Sequence, residues 1–254
     1  MIINVSGYDI NYIDEGQGDV VLLLHGWGSN LKSFTPLTNL LKTKYRVIAY
    51  DYPGFGESSE LKNSFSVDDY TDIAVEFIKK LDIKKVILIG HSYGGRISIK
   101  LNNRKELPFE IDKNILIDAA GIKDKKDLKT KCKIAAFKTL KKIVRLIPIS
   151  EEYKNQLEIK LKKKFGSSDY ATASKVLQET LVKAVNEDLS PYLKNMKETL
   201  LIWGDNDKVT PIWMAKLMEK EIKGAGLVVL KGGHFSYLDD PITFAKVICS
   251  YLKI

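Results

Sequence analysis

The 254-residue sequence predicts an α/β fold, a mostly parallel sheet flanked by helices. Three observations carry this expectation. Unbroken Val/Ile/Leu runs recur along the chain, helix-like segments lie between them, and a long helical interval interrupts the alternation after the sixth predicted strand. Strands that are apolar without alternation are covered on both faces, as parallel strands joined by crossover helices are.

The chain opens on IINV and YDINYID around Ser6-Gly7, an antiparallel hairpin at a sheet edge. Four apolar strands follow: VVLLLHG (20–26), YRVIAYD (45–51), KVILIG (85–90) and NILID (114–118). Before the third of these, Val67, Tyr70, Ile73, Ala74, Phe77, Ile78 and Leu81 fall at helical spacing, and Ser66 with Asp69 can form a capping box. TLLIWG (199–204) and GLVVLKGG (226–233) complete the strands. A last amphipathic helix starts near Pro241 and runs through Ile248 and Leu252.

Between Gly121 and Thr199 the pattern is helical throughout. One apolar stripe joins Ile134, Phe137, Leu140, Ile143 and Ile147; a second joins Val176, Leu177, Thr180, Leu181, Ala184 and Val185. FGSSDY (165–170) is read as a break between them. Both stripes are expected to bury against the main domain and each other. The predicted organisation is one core domain in two parts, 1–121 and 196–254, with 122–195 as a helical insertion over one end of the sheet.

A hydrophobic content of 44% in a chain of this length supports one full core. The start MIINVSGYDI has no basic segment followed by an apolar one, and no apolar run approaches the roughly 18 residues of a membrane span. Neither export nor stable membrane insertion is expected. Cys132 and Cys249 lack the spacing of a metal or redox motif, which fits reduced thiols in a cytoplasmic protein, and Cys249 is expected in the core. The net charge of +8 is concentrated: residues 122–164 hold fifteen Lys/Arg against five Asp/Glu. Only one of the fifteen, Arg145, is an arginine, so the forked contacts of groove readers are missing and no nucleic-acid partner is expected. A solvated helical face is the ordinary reading; attraction of anionic substrates or lipid surfaces is the alternative. The sequence carries no signal for oligomeric state.

Ligands of open parallel sheets bind at the carboxyl ends of the strands. Those ends carry His25, Asp51, Ser92, Asp118, Asp207 and His234. Ser92, in GHSYGG (90–95), matches G-x-S-x-G, in which a serine hydroxyl projects from a sharp strand-to-helix turn. A serine is a weak nucleophile without a base. His234, after the last strand, is the candidate; His25 lies in a tight glycine turn, and His91 should point away from its neighbour Ser92. An imidazole in that role needs a carboxylate to fix its tautomer. Asp205, Asp207 and Asp118 are all placed to supply one, although one of the first two could cap the helix near Pro211.

HGWG (25–28), DYPGFGES (51–58), GHSYGG (90–95), GDNDKVTP (204–211) and GGH (232–234) resemble, in order and spacing, the motifs of the alpha/beta-hydrolase superfamily. The likeness is greatest to its small capped esterases and carbon–carbon bond hydrolases. It implies a mostly parallel alpha/beta-hydrolase sheet with a helical cap inserted after the sixth strand. It further implies Ser92 as nucleophile, His234 as base and Asp207 as acid, with Asp118 as runner-up. The backbone N–H groups of Trp27 and Tyr93 are implied as an oxyanion hole, while Asp51 receives no catalytic role. The side chains of Trp27 and Tyr93 either line the pocket or only pack.

The implied activity is a serine hydrolase that cleaves a small-molecule ester or related acyl bond through an acyl-enzyme, with neither metal nor organic cofactor. A carbon–carbon bond hydrolase, an acyltransferase and a slow-turnover ligand sensor are the alternatives. Serine at the turn speaks against haloalkane dehalogenase and epoxide hydrolase chemistry, where the family uses aspartate.

Overall fold

A computed structural model describes residues 1–123, 128–165 and 173–254. It contains the strands β1 (Ile2–Val5), β2 (Tyr8–Glu15), β3 (Val20–Leu24), β4 (Arg46–Tyr50), β5 (Lys85–His91), β6 (Glu110–Ile117), β7 (Thr199–Gly204) and β8 (Gly226–Leu230). They form one sheet in the order β1-β2-β4-β3-β5-β6-β7-β8. β1 and β2 are antiparallel, as are β2 and β4; every later pairing is parallel. The opening hairpin turns through Ser6 and Gly7 at φ 50° and 85°, the positive values that tight two-residue loops require.

The helices are α1 (Thr35–Leu41), α2 (Val67–Lys80), α3 (Tyr93–Asn102), α4 (Leu128–Leu146), α5 (Glu151–Phe165), α6 (Lys175–Asn186), α7 (Ile212–Glu221), α8 (Ser236–Asp239) and α9 (Pro241–Leu252). Strand residues sort by parity. Leu22 and Leu24 pack with Tyr70 and Phe77 of α2 and Ile97 of α3, whereas Val21 and Leu23 pack with Leu37 of α1 and Phe244 of α9. The expected capping box closes α2: Ser66 Oγ accepts from Asp69 N at 3.2 Å, and Asp69 Oδ2 accepts from Ser66 N at 2.6 Å.

Three details depart from expectation. β6 begins at Glu110, because its polar first half pairs with Lys85 ahead of a register shift between Val86 and Leu88. Leu140 and Ile143 of α4, and Ile147 just beyond it, remain 38%, 47% and 37% exposed. Among the described side chains of α4, Val144 is buried, and Glu158 of α5 binds Lys141 and Arg145 of α4 by ion pairs. Cys249 is a half-buried free thiol, on the flank of α9 and not in its core face. The α6 stripe does pack inward at Thr180 and Ala184, and Thr180 Oγ1 accepts from Phe65 N at 3.0 Å. The side chains of Cys132 and Ile134, and residues 166–170 of the expected FGSSDY break, lie outside the described residues.

Two fully buried histidines brace the strand ends. His25 donates from Nδ1 to the Gly26 carbonyl at 2.8 Å and accepts from Tyr52 N at 3.2 Å, while its ring stacks on Tyr52. His91 donates from Nε2 to the His234 carbonyl at 2.7 Å. Burial lowers their pKa values to about 4 and about 3, so both are neutral. Asp118, also buried, is shifted the other way, up to about 6, because burial disfavours its charge.

The sign of the resulting pH dependence follows. Each depressed histidine contributes stability that is present above its ordinary value of 6.5 and lost as pH falls toward 4 and 3. Asp118 contributes the opposite slope below pH 6. Two groups outweigh one, so urea stability should fall by on the order of 1 kcal/mol per pH unit between pH 6 and pH 5. A midpoint that holds constant or rises over that interval contradicts the assignment.

Candidate active site

Ser92 joins β5 to α3 at φ 49° and ψ −111°, a conformation costly for a residue with a side chain. Three backbone bonds hold it there. Ser92 N donates to Ile117 O at 3.0 Å, and its carbonyl accepts from Gly95 N at 3.0 Å and Ala120 N at 2.8 Å. The flanking glycines serve close approach: a Cβ on Gly90 would stand 2.7 Å from the Gly94 carbonyl oxygen, and one on Gly94 would overlap the carbonyl oxygen of Leu24.

The parallel register sets Leu24 beside Gly90, His91 beside Ile117, Ile117 beside Ile202 and Gly204 beside Leu230. Residues just beyond these pairs therefore converge. His234 Nε2 lies 2.8 Å from Ser92 Oγ, and His234 Nδ1 lies 2.9 Å from Asp207 Oδ2. With Nδ1–H donating to the carboxylate, Nε2 is free to accept the serine proton.

Asp207 is further held by its own turn. Oδ1 accepts from Val209 N at 2.7 Å and Thr210 N at 3.0 Å, and Oδ2 accepts from Thr210 Oγ1 at 2.6 Å. Burial alone would raise its pKa; the bonds from His234 and Thr210 outweigh that and hold it below the ordinary carboxylate value. One carboxylate thus both closes its own turn and contacts the imidazole, while α7, whose N-cap is Pro211, takes no side-chain cap from either acid.

The rival acids stand elsewhere. Asp205 pairs with Lys231 Nζ at 2.8 Å on the surface. Asp118 accepts from Gly204 N at 2.8 Å, Ser236 N at 3.0 Å and Ser236 Oγ at 2.7 Å, which ties the end of β7 to the segment that follows His234. Its backbone, at φ 45°, is strained as well, and its carbonyl oxygen lies 3.0 Å from Thr210 Oγ1. Asp51 organises the neighbouring loops by accepting from Leu31 N, Asn11 Nδ2 and Glu57 N. His91, expected to point away from Ser92, belongs to the wall of the same cavity: its ring lies 5.1 Å from that of His234 and holds that residue's carbonyl.

Ser92 and His234 open onto a cavity of about 540 Å³. Trp27 and Tyr93 are in its wall, and both also pack: their rings meet edge-on at 5.4 Å. Ile122, Leu181, Ala184 and Val185, from the interval between β6 and β7, add to the apolar lining, as do Val209, Met214 and Phe235. Thr210 and Arg96 reach the cavity too, and sequence reasoning passed over both. The signals were present: Thr210 stands three residues after Asp207, the spacing of a side-chain-closed turn, and Arg96 stands one helical turn after Ser92. Among the described residues, no three His, Cys, Asp or Glu side chains gather as a metal site, and no helix is long and apolar enough to cross a membrane.

Known proteins resemble this chain along nearly its whole length. The 2-hydroxy-6-oxononadienedioate/2-hydroxy-6-oxononatrienedioate hydrolase of Escherichia coli is 29% identical over 268 residues, which covers 96% of this chain and 90% of that protein. An esterase from Exiguobacterium antarcticum superposes with a TM-score of 0.75 at 26% identity, over 100% of this chain and 99% of the other. The enol-lactonase of Burkholderia xenovorans shares the fold at 20% identity, with a TM-score of 0.76 and full coverage of both chains. The sequence profile described as "alpha/beta hydrolase fold" matches residues 19–241, and with its eight-stranded sheet the chain belongs to the alpha/beta hydrolases.

Proposed function

We propose that the protein is a serine hydrolase that cleaves a small-molecule ester or related acyl bond, as a carboxylesterase does. The observation that carries this reading is the hydrogen-bonded series Ser92–His234–Asp207 at a cavity of about 540 Å³. Ser92 Oγ attacks the carbonyl while His234 Nε2 takes its proton. Asp207 holds the Nδ1–H tautomer and stabilises the imidazolium. The backbone N–H groups of Trp27 and Tyr93 receive the developing oxyanion, a contribution of about 3 kcal/mol per donor in comparable sites. His234 then protonates the leaving group, and water releases the acyl-enzyme by the same route. The segment 122–195 serves as the cap over the core formed by 1–121 and 196–254, since Ile122, Leu181 and Val185 wall the cavity. The free thiol of Cys249 fits a reducing compartment, and we assign the protein to the cytoplasm.

A second reading uses the same residues on a carbon–carbon bond. It is favoured by the 29% identical relative, whose name assigns it a keto-dienedioate substrate. A panel of short p-nitrophenyl esters beside a 2-hydroxy-6-oxo-dienedioate separates the two by relative kcat/KM.

On p-nitrophenyl butyrate, Ser92→Ala should lower kcat by a factor on the order of 10⁴ or more. Equal rates for wild type and Ser92→Ala would mean that the turn is only a turn. Among the carboxylates, Asp207→Asn should cost on the order of 10⁴ in kcat, because the imidazole loses its tautomer control. Asp205→Asn should behave as wild type. Asp118→Ala should lower the melting temperature and reduce kcat by at most about 10²-fold, the cost of a misplaced His234 loop. A larger loss at Asp118 than at Asp207 would reverse their assigned roles.

A further inference from the structure

Arg96 stands in the first turn of α3, four residues after Ser92, which precedes the helix, and both side chains line the same cavity. The side chain is 5% exposed and belongs to the wall of the cavity, whose other members are mostly apolar. Among the described residues its guanidinium makes one hydrogen bond, from Nη1 to the Glu187 carbonyl at 3.0 Å. Lys100, by contrast, holds two carboxylates, Glu187 at 2.5 Å and Asp68 at 2.8 Å. No carboxylate of the described residues stands within ion-pair distance of Arg96.

A guanidinium offers five N–H donors and keeps its charge. Burial works against that charge and lowers its pKa, with Tyr93, Glu187 and Asp188 opposing. A strut to the Glu187 carbonyl needs only a neutral donor. A full positive charge kept in an apolar cavity, one helical turn from Ser92, needs an anion, and the cavity is where one can enter.

We propose that Arg96 selects substrates that carry a carboxylate, which it binds in a forked pair while the ester carbonyl rests on Ser92 Oγ. The proposal rests on the hydrolase reading of Ser92. Because both residues line one cavity of about 540 Å³, the substrate joins its acid to the scissile carbonyl by a short carbon chain, as in monoesters of succinic or glutaric acid. Hydrolysis adds water across the acyl C–O bond. The hydroxyl goes to the acyl carbon and the proton to the leaving alcohol, so the products are a short dicarboxylate and an alcohol.

The test compares the p-nitrophenyl monoester of glutaric acid with the p-nitrophenyl ester of its uncharged monoamide, in about 0.3 M NaCl to suppress attraction by surface lysines. Wild type should favour the acid at least tenfold in kcat/KM. The ratio should approach one in Arg96→Met and Arg96→Gln and lie between in Arg96→Lys, which keeps the charge without the fork. Arg96→Gln keeps a donor for the Glu187 carbonyl, so a ratio retained in Arg96→Gln would make the residue a strut and overturn the proposal. So would a wild-type ratio near or below one. Calorimetric titration of glutarate into Ser92→Ala gives a readout free of turnover. Binding should weaken tenfold or more when Arg96→Gln is added, and undiminished binding overturns the proposal. If wild type hydrolyses neither ester, the hydrolase reading fails while the glutarate titration still decides the role of Arg96.

Discussion

The site depends on a backbone approach that only glycine permits. The turn at Ser92 runs so close to Leu24 that the position two residues on has no room for a Cβ, and so close to itself that Gly90 faces the Gly94 carbonyl at less than contact distance from any added carbon. This closeness fixes Ser92 at a positive φ and turns its hydroxyl out of the sheet toward His234. Strain of this kind persists only where the surroundings over-determine it, and here the bonds to Ile117, Gly95 and Ala120 do so.

From that point the arrangement is a division of labour among carboxylates. Asp207 has the geometry of an orienting acid because its turn supplies three donors besides His234, which keep it ionised within the protein. Asp118 stands at an equivalent strand end but spends its oxygens on Gly204 and Ser236. It fixes where β7 ends and where the His234 segment begins. His91 completes the frame from below by holding the His234 carbonyl. Three buried polar side chains thus set the position of one imidazole: Asp207 through its carboxylate, Asp118 through Ser236, and His91 through the His234 carbonyl.

Much of this was legible in the sequence. The strand runs, the α2 capping box and the hairpin at Ser6-Gly7 follow from local patterns, and the residues marked by the GHSYGG, GDNDKVTP and GGH motifs do stand together. What was not legible depends on tertiary contact. The stripe that runs along α4 to Ile147 has helical periodicity, yet periodicity alone cannot say whether a partner covers it, and Leu140, Ile143 and Ile147 stay more than a third exposed. Three acids near strand ends look alike until the register places one beside His234. Arg96 reads as an ordinary helix residue, since its burial comes from the packing of α3 beneath the segment around Glu187.

Every step of the proposed mechanism passes through acylation of Ser92. Intact-mass analysis after treatment with a fluorophosphonate probe, followed by peptide mapping, tests it most directly. One adduct per chain is expected, located on Ser92 and absent from Ser92→Ala. An unmodified wild-type protein, or an adduct that persists in Ser92→Ala, would contradict it.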